Sequence, residues 1–175
     1  MSTPEFSRPV RVDSLGSEPR PMAIEADEGE KAALARRFGL VAIARLAAEA
    51  VLVRQGPEVV ARGRVDAEVV QSCVASGEPV AASVDVPFDL VFRPGPEAAR
   101  PDEEVELSES DLDVVFYGGA AIDLGEAAAE TLALSLDPYP RAPGAEAALK
   151  AAGVKSEEEA GPFGALAGLR DKLKK

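Results

Sequence analysis

The chain of 175 residues has no histidine and no tryptophan, one cysteine, and only 5% aromatic residues. Without histidine it lacks the commonest general base and the commonest metal ligand of proteins. One cysteine cannot form an internal disulfide, and it cannot supply a cysteine-rich zinc site. With so few aromatic residues, the core has to be built from Ala, Val and Leu. These absences argue against an enzyme and predict a protein without cofactor or metal.

Long apolar runs are missing as well. None is long enough to span a bilayer, and prolines and acidic residues interrupt the first twenty positions. We therefore expect a cytoplasmic protein with no membrane segment and no signal peptide. The length and the 46% of hydrophobic residues suit one compact domain with tails.

What the chain has in excess is acid. The 31 Asp and Glu residues against 19 Lys and Arg residues give a net charge of −12. Acidic and basic side chains are nearly balanced before residue 65, so the excess lies in the remainder. A phosphate backbone repels such a chain, because nucleic-acid binding depends on Lys and Arg releasing counterions. A basic protein or an assembled particle is the better expected partner.

Hydrophobic periodicity predicts an α+β fold. Alternation of apolar and polar residues predicts a curved antiparallel sheet of about five strands, near 8–12, 48–54, 59–72, 80–93 and 111–117. Residues 22–26 are a further strand candidate. Helical spacing predicts helices near 28–46 and 123–136 that cover the sheet. Asp27 with Glu30, and Asp123 with Glu126, have the spacing of a capping box at each helix start.

The domain organisation predicted from these patterns is simple. Residues 1–137 form a single α+β domain that includes an acidic loop at 97–110. Residues 138–175 form a loose, low-complexity tail that ends in a short amphipathic segment. Low hydrophobicity and self-repulsion predict that the loop, and residues 138–160 of the tail, are mobile.

Two charged surfaces are candidate binding sites. Arg36, Arg37, Arg62 and Arg64 could gather on one side of the fold and contact RNA. Because the whole chain is acidic, an ordinary solvated surface is the simpler interpretation. In the acidic loop, four carboxylates could contact a basic protein segment: Asp102, Glu103, Glu104 and Glu106. The loop lacks the EF-hand ligand spacing, so a solvated loop is favoured over a divalent-ion site.

The lone thiol, Cys73, is the remaining reactive group. A nucleophilic cysteine needs a base or an electropositive setting, and the chain has no histidine to serve as the base. We therefore interpret Cys73 as a buried thiol beside the turn that contains Gly77 and Pro79.

Five short motifs occur in a recognisable order. They are FSRPV at 6–10, QSCVASGEPV at 71–80, IDLGE at 122–126, YPRAPG at 139–144 and PFGAL at 162–166. In order and spacing they resemble the YceD family of bacterial proteins, in the form typical of alphaproteobacteria. The residues that carry the resemblance include Cys73, Glu78, Pro79, Asp123 and Glu126.

That family is implicated in the accumulation of large-subunit ribosomal RNA, and its gene commonly neighbours one for a large-subunit ribosomal protein. The resemblance implies a non-enzymatic factor in ribosome biogenesis. Its expected partners are a pre-ribosomal large-subunit particle, rRNA or a basic ribosomal protein, with no small-molecule substrate. Many members have Cys-x-x-Cys before Glu-Pro, whereas Ser76 occupies the second position here, so no metal is expected.

Two other functions remain open. The chain could be an acidic binding module or chaperone for a basic protein, without RNA contact. The third and weakest hypothesis is an enzyme that uses the acidic loop with a divalent ion.

Overall fold

A computed structural model describes residues 4–95 and 113–154 of the chain. Within them it contains seven strands and three α-helices, with a short 3-10 turn at Val12–Ser14. The strands are β1 (Pro9–Arg11), β2 (Arg20–Glu25), β3 (Ala42–Gln55), β4 (Glu58–Ser72), β5 (Pro79–Pro94), β6 (Val114–Tyr117) and β7 (Ala121–Asp123). The helices are α1 (Glu28–Phe38), α2 (Leu124–Ser135) and α3 (Ala145–Ala151).

The main sheet has five strands in the order β2-β3-β4-β5-β6. The β3/β4 pair is antiparallel, as predicted, and β2 also pairs antiparallel with β3. However, β6 runs parallel to β5 and makes the sheet mixed. A parallel pair needs a long crossover connection in place of a hairpin. The chain between Pro94 and Val114 is long enough to provide one. The predicted α+β fold with a five-stranded sheet is confirmed.

One predicted helix is too long. Helical structure was expected to continue to residue 46, but α1 ends at Phe38 and β3 begins at Ala42. The reason is a β-bulge between Ile43 and Arg45. Because the bulge inserts an extra residue, Ile43 and Leu46 are buried on one face although they are three residues apart. That spacing imitates a helix.

The strand expected at 8–12 does not belong to the main sheet. It is β1, and it pairs with β7 in a separate two-stranded sheet, where buried Val10 lies opposite buried Ile122. One edge strand of the main sheet is β2, over the region noted only as a further candidate, and the other is β6. The pairing of β1 with β7 joins residues more than a hundred positions apart, so local alternation could not reveal it.

The main core lies on one face of the five-stranded sheet, beneath α1 and α2. Leu34 of α1, Leu52 of β3 and Leu132 of α2 are all fully buried there. Apart from the bulge in β3, strand residues alternate between this core and solvent, which is the pattern of a sheet covered on one side only. We call the solvent side the outer face; it is formed by β2 to β5.

The described residues divide into two compact units. The first comprises 4–71, 81–95 and 113–137, and it contains the main core. The second comprises 72–80 and 138–154, and it contains α3, a helix that the sequence patterns did not predict. No helix in either unit is long and apolar enough to cross a membrane. The acidic loop 97–110 and the amphipathic segment after residue 162 lie outside the described residues.

Candidate functional site

The outer face carries a groove of about 590 Å³ that crosses β2, β3 and β4. Strand alternation places a set of small apolar and charged side chains along it: Pro21, Ala23, Glu49, Val51, Arg62 and Arg64. Val51 is 41% exposed although it lies in the middle strand of the three. The groove is therefore an open, partly apolar surface on rigid strands.

Gly63 sets how closely β3 and β4 approach beneath the groove. A Cβ at this position would lie 2.7 Å from Cζ of Phe88 and closer still to the carbonyl oxygen of Glu49. Real Cβ atoms do not approach other atoms so closely, so only glycine fits between its neighbours. The Phe88 ring packs against Gly63 from the buried side of the sheet.

The two arginines of the groove are engaged by carboxylates of β5. The Nε of Arg62 donates to Oδ2 of Asp89 at 2.8 Å. Arg64 donates to both carboxylate oxygens of Asp85, with 2.9 Å between Nη2 and Oδ2, and this contact raises the pKa of the Arg64 guanidinium. Nearby, Arg45 pairs with Asp66 at 2.9 Å. The arginine stripe is thus neutralised by its own sheet.

Glu49 is the groove's uncompensated charge. Its backbone partner across the β3/β4 ladder is Arg64, but that guanidinium turns to Asp85 instead. On the other side, across β2, Glu49 faces Ala23. Within residues 4–95 and 113–154, no basic side chain forms an ion pair with Glu49. A carboxylate without an ion-pair partner among the described residues therefore lies in the groove, beside Ala23 on β2 and Arg64 on β4.

The opposite side of the sheet has a second charged cluster, built around Asp123. This carboxylate accepts hydrogen bonds from the Ser7 hydroxyl at 2.5 Å and the Arg8 amide at 2.8 Å. It also accepts from the amides of Gly125 and Glu126, at 3.0 and 3.1 Å, and so caps α2. One side chain thereby fixes both the N-terminal segment and the start of a helix.

Two ion pairs complete this cluster. Arg8 binds Glu30 through two nitrogens, at 2.6 and 2.8 Å, and this guanidinium holds the pKa of Glu30 below its ordinary value of 4.5. Arg37 also forms a bidentate ion pair, with Glu126, at 2.6 and 3.0 Å. We call the set Arg8, Glu30, Arg37, Asp123 and Glu126 the junction.

The structure confirms one predicted capping box and corrects the other. At α1, the Asp27 side chain accepts from the Glu30 amide while Glu30 accepts from the Asp27 amide. At α2, Asp123 caps as expected, but the Glu126 side chain goes to Arg37. A guanidinium offers two parallel, charge-assisted hydrogen bonds in place of one neutral amide, so it is the stronger partner.

The four arginines proposed as an RNA contact do not form one patch. Arg36 and Arg37 lie on α1, which covers the buried face of the sheet, whereas Arg62 and Arg64 lie on the outer face. Of the four, only Arg36 is without an ion pair among the described residues. The carboxylates proposed for a basic partner, Asp102 to Glu106, lie outside the described residues.

Cys73 belongs to the second unit, where its side chain is 3% exposed. The Ala142 amide donates to its Sγ at 3.3 Å, and this contact, with help from Ser76, lowers the pKa of the thiol from 9.0 to about 7. The turn is closed by the Cys73 amide, which donates to the Glu78 carbonyl at 2.8 Å. Gly77 adopts φ +75° within it. These motif residues hold a turn together, as the sequence predicted.

The surroundings of Cys73 do not fit a metal site. Its apolar neighbours are Ala75, Val80, Ala142 and Ala145, which supply no metal ligand. The Ser76 hydroxyl is close by, and it donates to the Glu78 carboxylate at 3.0 Å. Across both described ranges of the chain, no group of three or more His, Cys, Asp or Glu side chains has the geometry for a metal ion.

Comparison with protein families matches residues 61–170 to the family described as large ribosomal RNA subunit accumulation protein YceD. The chain belongs to the YceD family. This confirms the resemblance inferred from the five motifs. A search of curated proteins gives no match. A search of solved structures gives none either.

The YceD match includes β4 from residue 61 onward, the Arg62–Asp89 and Arg64–Asp85 pairs and the turn at Cys73, but it begins after Glu49 and Arg37. Sequence reasoning did not single out Glu49. The signal available was an isolated acid in an alanine-rich strand, in the run LAAEAVLV. The junction was also missed, because it joins side chains from three separate parts of the chain.

Proposed function

We propose that this YceD protein is a non-enzymatic cytoplasmic factor that supports the accumulation of large-subunit (23S) rRNA by binding large-subunit assembly precursors. The observation that carries the proposal is the family match over residues 61–170, whose description names large-subunit rRNA accumulation. The matched motif residues have structural roles, because Asp123 caps a helix and Cys73 and Glu78 close a turn.

Deletion of the gene in its native host tests this function. We expect a lower ratio of 23S to 16S rRNA, restored by a plasmid copy, and a tagged protein that sediments with large-subunit precursors in a sucrose gradient. An unchanged ratio together with a protein found only at the top of the gradient would overturn the proposal.

A second candidate is a binding module for a basic protein, without RNA contact. The pairing of Arg37, Arg62 and Arg64 with internal carboxylates favours it, since the positive charge of each guanidinium is already offset by a carboxylate of the same chain. Affinity capture of the tagged protein distinguishes the two candidate functions. A basic ribosomal protein retained after ribonuclease treatment supports the second candidate, and loss of every partner supports the first.

A further inference from the structure

The outer groove has the properties of a docking surface, and its charge determines which kind of partner can bind. Its walls are formed by regular strands, so its shape does not depend on a loop. Apolar area is supplied by Pro21, Ala23 and Val51, and the exposed fraction of Val51, 41%, is high for a side chain of a central strand. Small side chains leave room above the sheet for a chain segment from another molecule.

The charge of the groove favours a cationic partner. Arg62, Arg64 and Arg45 already have carboxylate partners on neighbouring strands. The carboxylate of Glu49 has none among the described residues, although it lies in the middle of the groove. An RNA phosphate at either arginine would meet the carboxylate of Asp85 or Asp89 already paired with it, and Glu49 nearby. A lysine or arginine from a partner would instead supply the missing counter-charge.

Long basic side chains also match the apolar part of the groove. Lysine and arginine have aliphatic stems that lie on apolar surface while the charged group reaches an acid. In this groove the stem would lie on Ala23 or Val51 and the charged end would reach Glu49, all three being neighbours on the paired strands β2 and β3.

We propose that the outer groove binds an extended basic segment of a protein, with a lysine or arginine paired to Glu49. The proposal rests on the proposed function only for the partner's place in large-subunit assembly. The chemistry of recognition follows from the groove itself.

Fluorescence anisotropy at low ionic strength tests the proposal with purified full-length protein. The probes are a short labelled peptide of alternating arginine and alanine and a labelled single-stranded RNA. We expect saturable binding of the peptide and none of the RNA. In Glu49→Arg the peptide affinity should fall by about tenfold or more, as for a charge pair broken at an interface.

The matched control is Glu130→Arg, which makes the same change of charge on an exposed residue of α2. We expect it to bind the peptide nearly as the wild type does. If both variants weaken binding equally, the peptide responds only to net charge and the proposal is wrong. Saturable RNA binding that displaces the peptide would also overturn it. If Glu49→Arg fails to fold by circular dichroism, Glu49→Gln replaces it with the same expected direction.

A cellular readout separates this proposal from the proposed function. If Glu49→Arg loses the peptide and lowers the 23S to 16S ratio, both are supported. If the peptide is lost while the ratio is unchanged, the groove binds basic segments but does not act in rRNA accumulation. If the gene deletion lowers the ratio while Glu49→Arg keeps full peptide affinity, the function stands and the groove proposal fails.

Discussion

The junction and the outer face use the same chemistry in different surroundings. In the junction, the Arg8 and Glu30 side chains are 31% and 18% exposed. On the outer face, those of Arg62 and Asp89 are 72% and 57% exposed. Water and salt screen the exposed pairs, which contribute little to stability, whereas the half-buried pairs are screened less. The junction therefore holds the fold together, and the outer pairs set the charge that a partner meets.

The same difference applies to the hydrogen bonds around each cluster. Asp123 accepts from two backbone amides of α2 and from two groups of the N-terminal segment. Asp85 and Asp89 are held by one arginine each. Loss of a junction carboxylate would leave several donors without acceptors, while loss of an outer carboxylate frees a single exposed guanidinium. Substitutions in the two regions should separate these roles.

The largest expected loss of stability is for a substitution of Gly125, the second residue of α2. A Cβ there would lie 3.0 Å from the Arg8 amide and closer still to the Phe6 carbonyl oxygen. We expect Gly125→Ala to lower the free energy of unfolding by about 3 kcal/mol, as overpacking of a rigid site does. Denaturant unfolding followed by circular dichroism measures it.

Gly29 offers a matched control, because it is the second residue of α1 and is exposed. Gly29→Ala should change the same quantity by about 1 kcal/mol at most, since helix propensity favours alanine there. Equal losses in the two variants would mean that the N-terminal segment does not pack closely against α2.

A smaller loss is expected at Asp123. Asp123→Ala removes the helix cap and the anchor of the N-terminal segment, and should cost about 2 to 3 kcal/mol. Asp89→Ala on the outer face should cost about 0.5 kcal/mol. Urea unfolding of the two variants side by side measures the difference. If Asp89→Ala is as costly as Asp123→Ala, the contrast between the two regions is wrong.

The junction should also make the stability of the fold depend on pH. Because the pKa of Glu30 lies below 4.5 in the folded protein, its ion pair stabilises the fold fully above pH 4.5. That contribution is lost as the pH falls through the lowered pKa. Wild type should therefore lose more stability than Glu30→Gln between pH 5 and about pH 3, measured by thermal unfolding. Parallel curves for the two proteins would show that Arg8 does not hold this carboxylate.

Cys73 should have a still smaller effect on the fold. Cys73→Ser keeps a group of similar size in the turn, so we expect a folded protein with nearly unchanged sedimentation with precursors. The pKa of the thiol, lowered from 9.0 to about 7, predicts that wild type gains stability relative to the variant as pH rises from 7 to 9. Thermal unfolding across that range measures it. Loss of function with the fold retained would show that the thiol itself acts.

Where local patterns decide the structure, the sequence was sufficient. The long alternations predicted β4 and β5 to within two residues, and the Asp27 and Glu30 spacing predicted how α1 begins. The same reasoning wrongly predicted a helix at residues 40–46, because the bulge at residues 43–45 gives the strand's buried residues the three-residue spacing of a helix. Pairing between distant segments, as in β1 with β7, has no local signal at all.

The candidate site was less predictable than the fold. Alternation correctly put Arg62 and Arg64 on a solvated strand face. It could not show which carboxylates would bind them, because Asp85 and Asp89 come from β5 while Glu49 comes from β3. The choice of Asp85 over Glu49 by Arg64 depends on side-chain geometry across three strands. That choice leaves Glu49 as the exposed charge of the groove.

The central claim is that the outer face meets its partner through carboxylates and not through arginines. Arg62→Glu with Arg64→Glu tests it most directly, since both side chains are exposed and the double variant should stay folded. The measurement is co-sedimentation of the purified double variant with large-subunit precursors. The account predicts that co-sedimentation is undiminished. A correctly folded double variant that no longer co-sediments would contradict the account and assign the contact to the arginines.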